Sequence, residues 1–398
     1  MGEKKKILIL MNATIFLASF GFIMYSALLP SFSERYRITL SEAGLVGSIL
    51  CMGQLFIIFL NDFLAAKLSK TVLIAGGVFL HLLSMFWIAF SPSYGSLLAA
   101  FFVNGAAISL LNVVMSAYIS DLSGERRNSY LNIFHGIYGL GSLAGPLLPT
   151  IVLAAGGSWT VCYLIVGAIS IMLFFAVLLF ARGNAGEVQK EPGGNVSFFR
   201  LLKNPGLLLS CAAAMLYMGF DMMISTYMSS YLGLKLGAAA IAGLTITFYW
   251  AGSALGRLLY SMLFAKVNVR RYLAVVNILT AVALFVGMGV LNKWVMLVLI
   301  FAVGLLSGVN FPLDIGIACG IFPKQSVAAT NAISIFGSLG GIIFPALAGR
   351  MMEKTGYQSL LVIGGILMML IAALMLLLER IKKKEKEGGK YTCTIIER

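Results

Sequence analysis

Stretch after stretch of this chain runs for about twenty residues with almost no charge, which limits its fold more than any motif does. A helix rises 1.5 Å per residue, so roughly 20 apolar residues cross the hydrocarbon layer of a bilayer. Twelve such stretches can be read, at 7–30, 41–64, 72–90, 95–120, 129–155, 159–181, 205–232, 237–265, 272–292, 294–320, 328–350 and 358–378. Composition agrees: 60% of the 398 residues are hydrophobic and 11% are charged, and the mean hydropathy is +0.96. A soluble domain carries about 25% charged residues. A water-soluble enzyme, a disordered chain and a secreted disulfide scaffold are thereby excluded. The expectation is an all-α membrane protein with twelve transmembrane helices.

Because twelve is even, both termini lie on one side of the membrane. The Lys/Arg distribution chooses the side. Lys4–Lys6, Lys67, Lys70, Arg126, Arg127, Arg182, Lys190, Arg200, Lys203, Lys266, Arg270, Arg271, Lys324 and the tail from Arg380 fall on one set of connections. The other set holds only Arg35, Arg37, Lys235, Lys293, Arg350 and Lys354. Both termini are therefore expected in the cytoplasm of a multi-pass plasma-membrane protein. The net charge of +14 is spent on orientation rather than on nucleic acid. The run after Lys6 is too long for a signal segment and lacks a small-residue cleavage site, so it is a retained first span.

The longest polar stretch, 182–204, has the composition of a flexible linker and splits the chain into bundles of six spans, 1–181 and 205–378, followed by a basic tail, 379–398. The halves echo each other. Ser142-Leu143-Ala144-Gly145 with Pro149 repeats as Ser338-Leu339-Gly340-Gly341 with Pro345, and Asn112 has a counterpart in Asn310. Such duplication is a transporter architecture.

Polar side chains inside hydrocarbon are costly, so their spacing marks the face that avoids lipid. Asn12, Ser19 and Ser26 in the first stretch form a stripe, as do Ser109, Asn112 and Ser116 in the fourth. Tyr217, Asp221 and Ser225 do so in the seventh, and Ser307, Asn310 and Asp314 in the tenth. Each stripe could line a cavity or bond helix to helix. Asp221 lies roughly 22 Å into its helix, near the midplane, where protonation would remove the cost of burying its charge. Asp314, nearer the basic side, is a second candidate for proton coupling, or the partner of a gate residue. His135, Asn331 and Trp250 join Asn12, Asn112, Tyr217 and Asn310 as candidate solute contacts, with packing as the other reading of each. Trp250 shares a helix face with Ser253 and Arg257. His81 has no stripe around it and is expected to be structural. Trp87, Trp159 and Trp294, at span ends, fit an interfacial belt.

Four stretches, LNIFHGIYGLGSLAGP (131–146), YMGFDMMISTYMSSYL (217–232), YWAGSALGRLL (249–259) and Asn310-Phe311-Pro312, resemble the major facilitator superfamily, and within it the fucose/glucose–proton symporter branch. The resemblance covers nearly the whole chain. It implies two pseudo-symmetric six-helix bundles, a cavity lined by spans one, four, seven and ten, and transport by alternating access. It also implies that spans two, five, eight and eleven form the interface between halves, where Gly44/Gly47, Gly141/Gly145, Gly252/Gly256 and Gly337/Gly341 would let backbones approach. The chain departs from the family in two places. The signature loop Gly-x-x-x-Asp-Arg-x-Gly-Arg-Arg is replaced by Asn61, Ala65, Ala66, Leu68, Ser69 and Lys70, and spans one and four lack the acids of fucose permease. Asp62, one turn earlier, is a candidate substitute for the missing loop acid, gating by pairing with Arg126 or Arg127; Arg257 is a further gating candidate.

The expected function is secondary active, proton-coupled uptake of a small polar, sugar-like solute. The rival on the same fold is a proton-driven exporter of amphipathic compounds. An enzyme is not expected, because the two histidines are far apart and no HExxH or paired catalytic carboxylates occur. Nothing resembles a selectivity filter, a voltage-sensing Arg series or a ligand-binding ectodomain, which leaves channels and receptors without support. The five cysteines form neither a metal set nor a disulfide framework, and no P-loop appears, so no metal or cofactor is expected. The expected partners are the solute, protons and lipid, and the protein is expected to act as a monomer.

Overall fold

The computed structural model describes residues 3–123, 127–183, 201–264, 266–322 and 325–387, and among these every regular element is helical. Twelve spans are long and apolar enough to cross a membrane. In order they are Lys4–Tyr36, Ser41–Asn61, Lys70–Ala89, Tyr94–Ile119, Ile133–Ala154, Trp159–Phe180, Pro205–Lys235, Ala239–Phe264, Val269–Gly287, Lys293–Ile321, Ala328–Thr355 and Ser359–Lys383. They are called spans 1 to 12 below. The sequence-predicted linker, 182–204, falls mostly outside the described residues, as does the end of the basic tail.

Local chemistry sets the helix ends. Asn204, Asn268 and Asn292 cap spans 7, 9 and 10 through their side-chain oxygens, and Pro205 follows its cap at the first helical position. Span 2 begins at a capping box in which Thr39 and Glu42 bond each other's backbone N–H. At the end of the molecule away from the termini, the links after spans 1, 5, 7 and 11 turn on positive-φ residues: Arg37, Gly156, Gly237 and Gly356. Three of the four are glycine, which takes that conformation without steric cost.

The two halves repeat one packing scheme. Spans 1 and 5, 2 and 4, and 3 and 6 pack together in the first half; 7 and 11, 8 and 10, and 9 and 12 do so in the second. Glycine makes the tightest of these crossings possible. A side chain on Gly53 or Gly105 would enter the backbone of the facing helix between spans 2 and 4. Gly252, Gly256 and Gly304 are placed in the same way between spans 8 and 10. Met172 and Met262, 73% and 77% exposed, belong to an apolar outer surface suited to lipid rather than water.

Between the halves, span 2 packs on span 11 and span 5 on span 8. Hydrogen bonds join the halves: Tyr25 with Thr226 at 3.1 Å, Ser48 Oγ to the Ile342 carbonyl at 2.6 Å, and the Ser41 N–H to Glu353 Oε1 at 2.7 Å, with the Thr39 side chain also bonded to Glu353. All lie between the midplane and the end away from the termini. Gly44 there faces the Tyr227 hydroxyl and the Pro345 carbonyl, and Gly341 faces Cys51. On the terminal side, His135, Gly136 and Asn331 are exposed, and nothing stands within 4 Å of where a side chain on Gly136, Gly139, Gly316 or Gly320 would begin. The halves are closed at one end and parted at the other.

Two expectations are corrected. The pairs Gly141/Gly145 and Gly252/Gly256 do not face the opposite half; they meet spans 1 and 10 within their own bundles, where backbones cross more closely. Trp159 is not part of an exposed belt: it is buried edge-on against Phe32, ring centroids 5.1 Å apart.

Candidate functional site

The centre of the molecule is built around Asp221. Span 7 places this carboxyl near its middle, 7% exposed. The Tyr249 hydroxyl on span 8 donates to Asp221 Oδ1 at 2.6 Å, a short bond. Tyr217, one turn before Asp221, sets its hydroxyl beside both Tyr249 and Arg257. Arg257 follows Tyr249 by two helical turns on the same face of span 8. It donates Nε–H to the Gly308 carbonyl of span 10 at 2.9 Å, and its charge acts on Asp221. A buried acid thus has a donor and a nearby cation, the arrangement that lets a charge remain in a low-dielectric interior.

The first half reaches this cluster from span 5. Tyr138 lies beside Ser142 and within the field of Asp221 and Arg257. His135, one turn away and exposed on the parted side, is also within the field of Arg257. Trp250 stands edge-on to Tyr249 at 6.1 Å, and its buried indole N–H has no partner among the described residues. The cluster therefore combines aromatic faces, hydroxyls, an acid and a cation, and spans both halves. Chemically it can hydrogen-bond and stack a polar ring while holding one negative charge.

The structure brings together Asp221, Tyr217, Trp250, Arg257 and His135 from the sequence-predicted set. The others lie apart. Asn310 is 3% exposed and turned toward span 9, donating to the Ser307 carbonyl and accepting from Asn277, both at 2.7 Å. Asp314, also 3% exposed, sits between spans 7, 10 and 12 beside Ala213, Ala214, Ile371 and Met375. Asn12 and Asn112 are half-buried in spans 1 and 4, with the Asn12 Oδ1 unpartnered among the described residues. Asn331 is exposed early in span 11. Arg126 and the side chains of Asp62 and Arg127 lie outside the described residues, and so does the gating pair built on them. His81 is buried with neither ring nitrogen partnered among the described residues.

Three residues of this region escaped the sequence reading: Tyr249, Tyr138 and Asn277. Tyr249 and Arg257 share the i, i+8 spacing of one helix face, a signal that was there to be read. Tyr138 and Asn277 carried no such mark.

The family model described as Major Facilitator Superfamily matches this chain over residues 11–246 and 228–392. Bypass of stop codon protein 6 of Saccharomyces cerevisiae is 24% identical over 378 residues, covering 83% of this chain and 74% of its own. A putative glucose/galactose transporter of Helicobacter pylori is 23% identical over 368 residues, covering 86% and 88%. The glucose/mannose transporter GlcP of Bacillus subtilis is 23% identical over 356 residues, covering 86% of each chain. In fold, the chain superposes with a TM-score of 0.81 and 11% identity on a bacterial homolog to the human lysosomal transporter Spinster, in an inward-facing and occupied conformation. That match covers 99% of this chain and 100% of the other.

Proposed function

Since the chain belongs to the major facilitator superfamily, we propose that it is a secondary active carrier that takes up a small, polar, sugar-like solute together with protons by alternating access. The observation that carries this reading is the Asp221–Tyr249–Tyr217–Arg257 cluster, buried at the centre and approached from span 5 by Tyr138 and His135. Hydroxyls and an indole beside a carboxyl suit a polyhydroxylated ring, whose hydroxyls need both donors and acceptors and whose apolar face packs on an aromatic. Relatives named for glucose, galactose and mannose support the same class of solute.

In this reading Tyr217, Trp250, His135, Asn12 and Asn112 contact the solute, and Asp221 and Asp314 serve coupling. The bundles 1–181 and 205–378 move against each other, joined by 182–204. The basic termini face the cytoplasm of a plasma-membrane protein acting as a monomer, so the parted end opens inward. Binding solute and binding a proton then favour the same closed form, each raising the affinity for the other.

The test is counterflow and accumulation of labelled glucose, galactose and mannose by the purified protein in liposomes. The expected result is saturable counterflow without a gradient and accumulation when the outside is made acidic. Asp221→Asn should keep counterflow and lose accumulation. Absence of counterflow for all three sugars would overturn the solute class, and accumulation unaffected by a pH gradient would overturn the coupling.

A further inference from the structure

The two buried acids of the C-terminal bundle have opposite surroundings. Asp221 has a hydrogen-bond donor in Tyr249 and a cation in Arg257. Asp314 has no cation beside it among the described residues, and the one donor near its carboxyl, the Ser210 hydroxyl, falls short of good hydrogen-bond geometry. Span 7 presents Ala213, Ala214 and the Tyr217 ring to it, with Ser210 and the Cys211 thiol nearby. Span 12 presents Ile371 and Met375, and span 10 itself adds Phe311 and the already bonded Asn310. Span 11 contributes Ala329, Ala332 and Ile333 to the apolar cluster that includes Cys211. Cys211 and Tyr217 are the titratable groups facing Asp314 among the described residues; neither supplies positive charge. The gap between these side chains is narrow and lined mainly by apolar atoms.

We propose that Asp314 is a proton-holding site, separate from the Asp221 cluster and occupied while the terminal end is open. A carboxylate at this place would lack a cation and a well-placed donor, the two things that make a buried charge tolerable. A carboxylic acid carries no net charge and fits among apolar neighbours at far lower cost. The division is then an ionised Asp221 held by its donor and cation and a neutral Asp314 held by the lack of a cation.

Tyr217 joins the two sites, with its ring against the Asp314 gap and its hydroxyl in the Asp221 cluster. A shift of span 7 against span 10 that admits water would break the Asp314 O–H bond. The proton would leave as hydronium, and a solvated carboxylate would remain. That release step rests on the carrier reading above; the protonation of Asp314 in the present arrangement does not.

The experiment is infrared spectroscopy of the purified protein at neutral pH in H₂O and in D₂O, reading the carbonyl stretch of protonated carboxyl groups, which shifts on deuteration. The expected result is a band in the wild type that survives Asp221→Asn and is lost completely in Asp314→Asn. Asp314→Glu moves the carbonyl within the same gap and should shift the band rather than abolish it, which keeps the test decisive should the Asn variant fold poorly. A band retained in Asp314→Asn, unmoved in Asp314→Glu, or lost in Asp221→Asn overturns the proposal. No solute and no transport enter the measurement, so a failed uptake assay leaves its outcome intact.

Discussion

At the end away from the termini the halves meet backbone to backbone: Gly44 lies under the Tyr227 hydroxyl and the Pro345 carbonyl, and Ser48 bonds the Ile342 carbonyl. At the terminal end Gly136, Gly139, Gly316 and Gly320 have nothing within 4 Å of the place a side chain would take. The same residue type thus serves two purposes. Glycine at the closed end removes atoms so that two surfaces can touch; at the parted end it leaves helix faces bare. Closure in this arrangement comes from fit and a few hydrogen bonds, each worth little alone.

Substitutions can break or sharpen this contrast. The largest effect is expected from Gly44→Val, whose side chain would begin 2.6 Å from the Pro345 carbonyl oxygen. Overpacking of this kind costs roughly 1–3 kcal/mol. Spin-label distances across spans 2 and 11 should lengthen at the closed end; unchanged distances would show that the seam is loose. Ser48→Ala removes a part-buried bond worth about 1 kcal/mol, which at tenfold per 1.4 kcal/mol shifts the same distance distribution about fivefold toward the open form. Glu353→Gln replaces the span 11 carboxylate that accepts from the start of span 2 with a neutral acceptor. Both partners there are exposed, so the loss is expected near 0.5 kcal/mol and should vanish at high salt. Gly136→Ala, on the parted side, should leave the distances unchanged and raise thermal stability by roughly 0.5–1 kcal/mol through helix propensity alone. A shift toward the open form in Gly136→Ala would mean that the parted end also makes contact.

Much of the architecture was legible, because hydrocarbon demands long uncharged helices and the chain supplies twelve. The boundaries of spans 1, 9, 11 and 12 moved by five residues or more. Pro30 does not end span 1: a second helix, Tyr25–Tyr36, continues through it, and polar residues beyond reach the far end. Span 12 runs on into Lys383 because no residue after Leu378 breaks a helix on leaving the membrane. Within the site, Asp221, Tyr217 and Arg257 announced themselves as polar groups with helical spacing in apolar surroundings. Tyr138 did not, since a tyrosine is at home in any membrane helix and only tertiary packing shows what its hydroxyl meets. Asn310 read as a cavity residue, but Asn277 on span 9 takes its amide, and no rule of spacing within one helix reports a partner on another. The glycine pairs told where backbones approach and not which helix approaches them.

Span 11 is unbroken from Ser326 to Thr355 even through Pro345, whereas its repeat counterpart, span 5, is interrupted between Ala144 and Leu147. One is a continuous beam and the other is made of two pieces. The beam rests near its middle on Cys51 at Gly341, with Asn331 on one arm and Glu353 on the other, roughly 33 Å apart along the axis. A beam pivoting on a central support moves its two arms in opposite senses. Under the proposed alternating access, drawing the Asn331 arm inward would lift Glu353 from the start of span 2, so that sealing one mouth of the molecule and unsealing the other would be a single motion.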